Sequence, residues 1–355
     1  MPDFTGGAIH SLPTQARSSG DPKLDKQIAD LVADAGIENN SELIREFIVT
    51  AIKLGSDNLA VADLKLYNRA FKELRYAAKM FQPYVHQRKV VVFGSARTAP
   101  ESGAYQAAER FSKTMQEHGY MTITGGGDGI MGAAQKGAGR ANSFGLNIRL
   151  PFEQRANDTI HGDKKLVNFN YFFTRKLNFA KETHAVALFP GGFGTMDEGF
   201  EVLTLMQTGK GRIIPLVLVD QPGGEYWKTF LTFLRDHLLG NRLVSPEDFD
   251  FLKLTDNVDE AVGEILQFYK NFINYRWVGK RLVIRMQRTL SENALAQLNA
   301  GFTDILQTGS IEQGTALPEE QNEPGLADVP RLLLTPHQRD FGRYRALINA
   351  INLAD

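Results

Sequence analysis

An α/β protein built on a Rossmann-like, doubly wound parallel sheet is predicted by three observations. Short, continuous apolar runs recur through the middle of the chain, chiefly Lys89–Phe93, Tyr120–Thr124 and Ala185–Phe189. Such runs suit strands buried on both faces. Each run ends in a glycine turn, and each turn opens a helical pattern. Strand, turn and helix repeated in this order give parallel strands joined by crossover helices.

The remaining elements follow in order. Residues 1–22 are rich in Gly, Ser, Pro and Thr and are expected to form a flexible tail. Residues 23–85 predict a helical extension of three helices: Lys23–Ile37, Ser41–Leu54 and Leu59–Gln82, the last stopped by Pro83. Leu43, Ile44, Phe47, Ile48 and Ile52 share one helical face. The nucleotide-binding core is placed at 86–275. Beyond the three runs it is expected to hold strands at Gly145–Leu150 and Ile213–Val219, and an extended aromatic stretch at Val167–Phe173. Its later helices are expected at Arg175–Thr183, from the Pro190 turn to about Gly209, at Tyr226–Leu239 and at Asn257–Phe272. Residues 276–355 form a mixed C-terminal extension. Arg281–Met286 and Arg331–Thr335 read as strands, Ser291–Ala300 and Asp340–Asn352 as helices. Gly314–Pro330 reads as a mobile linker on its Pro, Glu, Gln and Gly content.

Composition narrows the function. The chain has 355 residues, 43% of them hydrophobic, enough for a large core. A formal net charge of -1 gives no global field for nucleic acid or anionic membrane, so neither is expected as a partner. Without cysteine there are no disulfides, thiolate metal sites or cysteine nucleophiles. The seven histidines are scattered, and no pair has ligand spacing on a helix, so no metal is expected. No apolar run spans a bilayer and no signal-peptide core opens the chain, so a cytoplasmic protein is expected.

The stretch that carries chemistry is Pro190-Gly-Gly-Phe-Gly-Thr-Met-Asp-Glu198. A glycine turn between strand and helix converges backbone N–H groups at a helix N-terminus, an anion site most often filled by phosphate. Gly191, Gly192 and Gly194 are the expected cradle, and Thr195 adds a hydroxyl. Asp197 and Glu198 are expected in the first helical turn, beside the anion. Upstream, Arg175 and Lys176 open a helix, where cations oppose the dipole. That conflict favours an anionic partner, Glu198 or a ligand.

Other phosphate motifs fit less well. Gly127-Asp-Gly129-Ile-Met-Gly132 matches the dinucleotide fingerprint, with Glu153 near the ribose-acid position. A tight turn for close packing explains the same glycines, and a dinucleotide fold leaves the Pro190 turn unexplained. Lys210 follows a helix and lacks the Ser or Thr of a kinase-type loop, and there is no Gly-x-Ser-x-Gly elbow.

Taken together these residues resemble the LOG family of cytokinin riboside 5′-monophosphate phosphoribohydrolases, long mislabelled as lysine decarboxylases. The family's Pro-Gly-Gly-x-Gly-Thr-x-x-Glu motif stands complete at Pro190 to Glu198. Its Arg-Lys pair matches Arg175-Lys176, and the Gly94-Ser95 turn and the cluster Gly125–Gly132 also correspond. The likeness covers about Lys89 to Tyr275. Thr174 and Phe179 stand where plant-type members carry Glu and Met, and the glycine turn is one residue shorter. In these details the chain is nearer the larger bacterial nucleotide 5′-monophosphate nucleosidases. The resemblance implies Arg175 and Glu198 as catalytic. It implies Ser95, Gly126, Gly127, Lys176, Gly191, Gly192, Gly194 and Thr195 as substrate-binding.

The expected reaction is hydrolysis of the N-glycosidic bond of a purine nucleoside 5′-monophosphate, releasing base and ribose 5-phosphate with no cofactor. Glu198 is expected to stabilise charge at the anomeric carbon or to activate water. No motif places a lysine for a pyridoxal phosphate Schiff base. A nucleotide-binding sensor without turnover is the rival. The resemblance, with apolar residues on several faces of the helix after the Pro190 turn, predicts a homodimer or larger homo-oligomer.

Overall fold

A computed structural model of the chain describes residues 17–151, 155–320 and 323–354. These fall into two compact units, 17–75 and 76–354. Most of the expected tail, and Glu153, lie outside the described residues.

The first unit is helical. It holds α1 (Pro22–Asp34), α2 (Ser41–Ser56) and most of α3 (Val61–Phe81). Asp21 caps α1, accepting from the N–H groups of Lys23 and Leu24. Ile28, Val32 and Val49 are buried within it.

The second unit begins in chain order with β1 (Lys89–Phe93), α4 (Gly103–Glu117), β2 (Met121–Thr124), α5 (Ile130–Ala138), β3 (Ser143–Ile148) and β4 (Leu166–Phe169). Next come α6 (Phe172–Glu182), β5 (Ala185–Leu188), α7 (Phe193–Gln207), β6 (Leu216–Val219), α8 (Tyr226–Phe233), β7 (Leu252–Thr255) and α9 (Val258–Phe268). The strands form one parallel sheet in the order β4-β3-β2-β1-β5-β6-β7. The sheet is therefore Rossmann-like and doubly wound, as the sequence predicts.

The apolar runs are uninterrupted because both faces are covered. On β1, Val91 and Phe93 face Phe179 of α6 and Val202 and Met206 of α7. Val90 and Val92 face Phe111 of α4, Ile130 of α5 and Ile265 of α9. The period of two along each strand thus feeds two separate cores. Strand order reverses at β1, which pairs with β2 on one side and β5 on the other. Ligands in such sheets bind at the carboxyl ends of the strands, at this reversal.

The rest of the chain builds a four-stranded antiparallel sheet, ordered β10-β11-β9-β8. Its strands are β8 (Phe272–Val278), β9 (Arg281–Met286), β10 (Leu306–Gly314) and β11 (Arg331–Pro336), with α10 (Glu292–Gly301) and α11 (Phe341–Leu353). Leu282, Ile284, Leu332 and Leu347 share one core with Leu216 and Trp227 of the parallel part.

Four expectations need correction. Phe172 and Phe173 begin α6; they do not extend the strand before it. The helix expected to run to Phe272 ends at Phe268, and Phe272 opens β8. The parallel sheet gains β7, whose Lys253 is exposed at the sheet edge and breaks the apolar run. In the stretch taken for a mobile linker, Glu320 is 3% exposed. Its carboxylate accepts from Nε of Arg285 at 2.9 Å and from Nε of Arg331 at 3.4 Å. Burial raises the cost of that charge, and the backbone N–H of Leu317 with the two guanidiniums more than offsets it, holding the carboxyl below its usual range.

Candidate active site

The cavity at the β1/β5 reversal encloses about 790 Å³. The turn after β1 contributes Gly94, Ser95, Ala96 and Arg97. The turn after β2 contributes Gly125, and α5 adds Met131. The loop after β5 and the start of α7 supply Gly191 to Met196 and Glu198. Arg175 and Phe179 enter from α6, and Tyr226 from α8.

The loops are tied together by backbone. Ser95 N–H donates to Pro190 O at 3.1 Å, and Ile130 N–H donates to Ser95 O at 3.0 Å. Close approach explains two glycines. A Cβ on Gly191 would sit 2.1 Å from Thr195 Oγ1 and 3.0 Å from Ser95 N. Gly129 has φ +61°, and a Cβ there would lie 2.3 Å from Ser95 O. Gly192 is the N-cap of α7, so the first N–H groups of that helix open towards the cavity without intrahelical acceptors. Nothing lies within 4 Å of a Cβ built on Gly192 or Gly194, which leaves room for a ligand there. The Tyr226 hydroxyl donates to Gly191 O and steadies the loop from the far side. No sequence motif marks Tyr226; it reaches the loop only through the β5–β6 packing.

Two charged groups face each other across the cavity wall. Arg175 Nη2 lies 3.5 Å from Glu198 Oε1, both side chains mostly buried. Phe172 and Phe179 flank the guanidinium, with ring centroids 5.0 and 5.6 Å from its carbon. At 3.5 Å the pair is an ion pair without a well-formed hydrogen bond. Glu198 Oε1 and Arg175 Nε are both buried without a hydrogen-bond partner. Burial pushes the Glu198 carboxyl up to about 7, against the pull of Arg175 and Lys176. Burial also lowers Arg175, against the pull of Glu198 and Asp197. A carboxyl poised near neutrality, with an oxygen that accepts no hydrogen bond, can accept a proton or face a developing cation.

The structure brings together Ser95, Arg175, Gly191, Gly192, Gly194, Thr195 and Glu198 around this cavity. Glu198 lies in the second turn of α7, because the helix starts at Phe193, earlier than expected. Three predicted binding residues are elsewhere. Gly126 and Gly127 turn their carbonyls to the buried Asn157, whose Nδ2 donates to them at 3.1 and 2.8 Å. Gly125 takes their place on the wall, and further along the same turn Gly129 and Ile130 pack against the Ser95 carbonyl. Lys176 points behind α7 to Asp197 at 2.8 Å and Glu201 at 3.5 Å. It offsets their charge outside the cavity.

Fold and site together define a Rossmann-like α/β protein with an open glycine loop at a helix N-terminus beside a buried acid–arginine pair. Residues 131–265 match a family model described as possible lysine decarboxylase. The chain is 24% identical over 189 residues to the Arabidopsis thaliana cytokinin riboside 5′-monophosphate phosphoribohydrolase LOG7, covering 52% of this chain and 84% of that protein. It is 30% identical over 164 residues to a probable enzyme of the same name from Oryza sativa subsp. japonica, covering 45% of this chain and 63% of that one. These comparisons bear out the resemblance to the LOG family over the core of the chain. Among solved structures, the molybdenum cofactor carrier protein of Chlamydomonas reinhardtii aligns with a TM-score of 0.36 and 22% identity, over 51% of this chain and 97% of that chain. Among the described residues no helix is long and apolar enough to cross a membrane.

Proposed function

We propose that the protein hydrolyses the N-glycosidic bond of a purine nucleoside 5′-monophosphate, yielding free base and ribose 5-phosphate. The reading rests on one observation: the buried Glu198 carboxylate, paired with Arg175 but with no hydrogen bond to its Oε1, shares a cavity with the open glycine loop. The names of the relatives support the same reaction class. The N–H groups at Phe193 and Gly194, with the Thr195 hydroxyl, hold the 5′-phosphate. The ribose then lies over Glu198. As the C1′–N bond breaks, its electron pair leaves with the base and C1′ becomes cationic. The Glu198 carboxylate stabilises that charge and takes a proton from the water that adds to C1′. The departing base takes up a proton from solvent and Glu198 returns its own to solvent, so water is divided between ribose and base. Arg175, held between two aromatic rings, orients the phosphate or the departing base.

The same reading includes a second copy of the chain. Phe172, Phe173, Leu177, Phe193 and Phe200 leave apolar surface exposed on α6 and α7, with Phe193 96% exposed at the mouth of the cavity. Incubation with AMP, followed by chromatography for adenine, tests the reaction, with adenosine as the control. Adenine from AMP and little from adenosine is expected. Equal release from both removes the phosphate cradle. Tight AMP binding with no adenine favours the sensor.

A further inference from the structure

A second cavity, largely apolar with two arginines in its wall, lies at the opposite end of the sheet. It encloses about 320 Å³, within the range of small-molecule sites. Arg88 precedes β1, His184 precedes β5, and Arg212 to Ile214 precede β6. The antiparallel sheet closes the other side with Phe272 to Tyr275 at the start of β8. Tyr269, His86 and Leu326 complete the wall.

The lining is one-signed. It contains two guanidiniums and no carboxylate. The Arg88 guanidinium lies over the Tyr269 ring at 4.3 Å, a contact that uses no N–H donor, and also acts on the Tyr120 hydroxyl, which leaves donors over for a ligand. Arg212 Nη2 donates to Lys181 O at 3.0 Å and Thr183 O at 2.8 Å. Behind the wall lies the buried Lys89 ammonium, held by the carbonyls of Tyr84 and Gln87, with the Glu182 carboxylate offsetting part of its charge. The local field is visible on His184: burial, then Arg212, Lys89 and Arg88, depress its basicity well below the ordinary value. Nothing in the hydrolase reading uses these groups.

We propose that this cavity is a second anion site, which takes a phosphorylated small molecule between Arg88 and Arg212. Guanidiniums in fixed positions suit phosphate oxygens, and the aromatic and aliphatic wall suits a small organic body. The site also touches the catalytic machinery through the backbone. Arg212 grips the C-terminal end of α6, the helix whose first turn carries Arg175. His184 leads into β5 and so to the Pro190 loop.

Inorganic pyrophosphate is the probe. The glycine loop must first be closed to it. In Gly192→Asp the new side chain enters open space at the N-cap of α7 and offers its own carboxylate to the helix. That variant should bind one pyrophosphate per chain by equilibrium dialysis. Adding Arg88→Ser, at a half-buried position, should weaken binding at least tenfold. Amide hydrogen exchange supplies a second readout: pyrophosphate should slow exchange across 178–184 in the first variant and not in the second. No binding by Gly192→Asp, or equal binding after Arg88→Ser, overturns the proposal. The outcome does not depend on AMP turnover, so failure of the hydrolase reading leaves this test intact.

Discussion

Replacing Glu198 with Gln should make the protein a far worse catalyst and a more stable fold. The amide keeps the shape of the side chain and removes its charge. Glu198 is 4% exposed, and its carboxyl is raised from an ordinary 4.5 to about 7, chiefly by burial. A carboxyl whose folded value is raised favours the native state below its unfolded value. That advantage disappears as pH rises through the folded value. Between 4.5 and about 7 the difference corresponds to about 3 kcal/mol, at roughly 1.4 kcal/mol per tenfold change in proton affinity. Gln, neutral at every pH, keeps the advantage. Glu198→Gln should therefore melt several degrees above the parent at pH 8 and level with it at pH 4.5. Adenine release from AMP should fall about a hundredfold to ten-thousandfold, the usual cost of losing a general base. Calorimetric AMP affinity should hold or improve, because a carboxylate near a phosphate repels it. Differential scanning at two pH values and one chromatographic assay cover the three readouts. Near-parent turnover would remove Glu198 from the chemistry. Lower stability at pH 8 would show that the Arg175 pair holds the fold together and would refute the burial argument.

Three further outcomes are expected. The kcat/KM for AMP should rise with pH up to about 7 and level off above it, because Glu198 acts in its charged form; a flat profile from pH 5.5 to 8 would contradict this. Gly191→Ala should abolish AMP binding in calorimetry, since its Cβ would collide with Thr195 Oγ1 at 2.1 Å; unchanged affinity would show the loop to be uninvolved. Light scattering at micromolar concentration should give a dimer or larger particle, and Phe193→Ser should weaken it; a monomeric parent protein would refute a partner on that face.

Much of the core was legible because its signals are local. The run Ala185–Phe189, the glycines after it and the helix pattern beyond are neighbours in sequence, and each constrains the next. Backbone capacity was legible; its destination was not. Gly126 and Gly127 form the sharp turn their composition implies, yet Asn157, some thirty residues on, takes up their carbonyls. Lys176 follows Arg175 by one position, so a helix sends the two side chains in different directions. The end of α9 was hidden by spacing. Ile265, Phe268, Tyr269 and Phe272 continue a helical stripe on paper, although the chain leaves the helix after Phe268. The segment around Glu320 reads as linker because its partners, Arg285 and Arg331, lie outside the window that composition samples.

The place of β1 at the centre of the sheet governs how the chain must be made. Its pairing with β5 joins residues 95 positions apart, as in the bond from Lys89 N–H to His184 Nδ1. At about 5–20 residues per second, roughly 5–20 s of synthesis separate the two strands as they emerge from the ribosome. During that interval β1 pairs only with β2, and its other edge, Val90 to Phe93, stays open and apolar. The nascent chain thus carries an open, apolar strand edge before the strand that covers it exists. Codon pauses or chaperones acting between residues 93 and 188 should influence soluble yield more than those acting later.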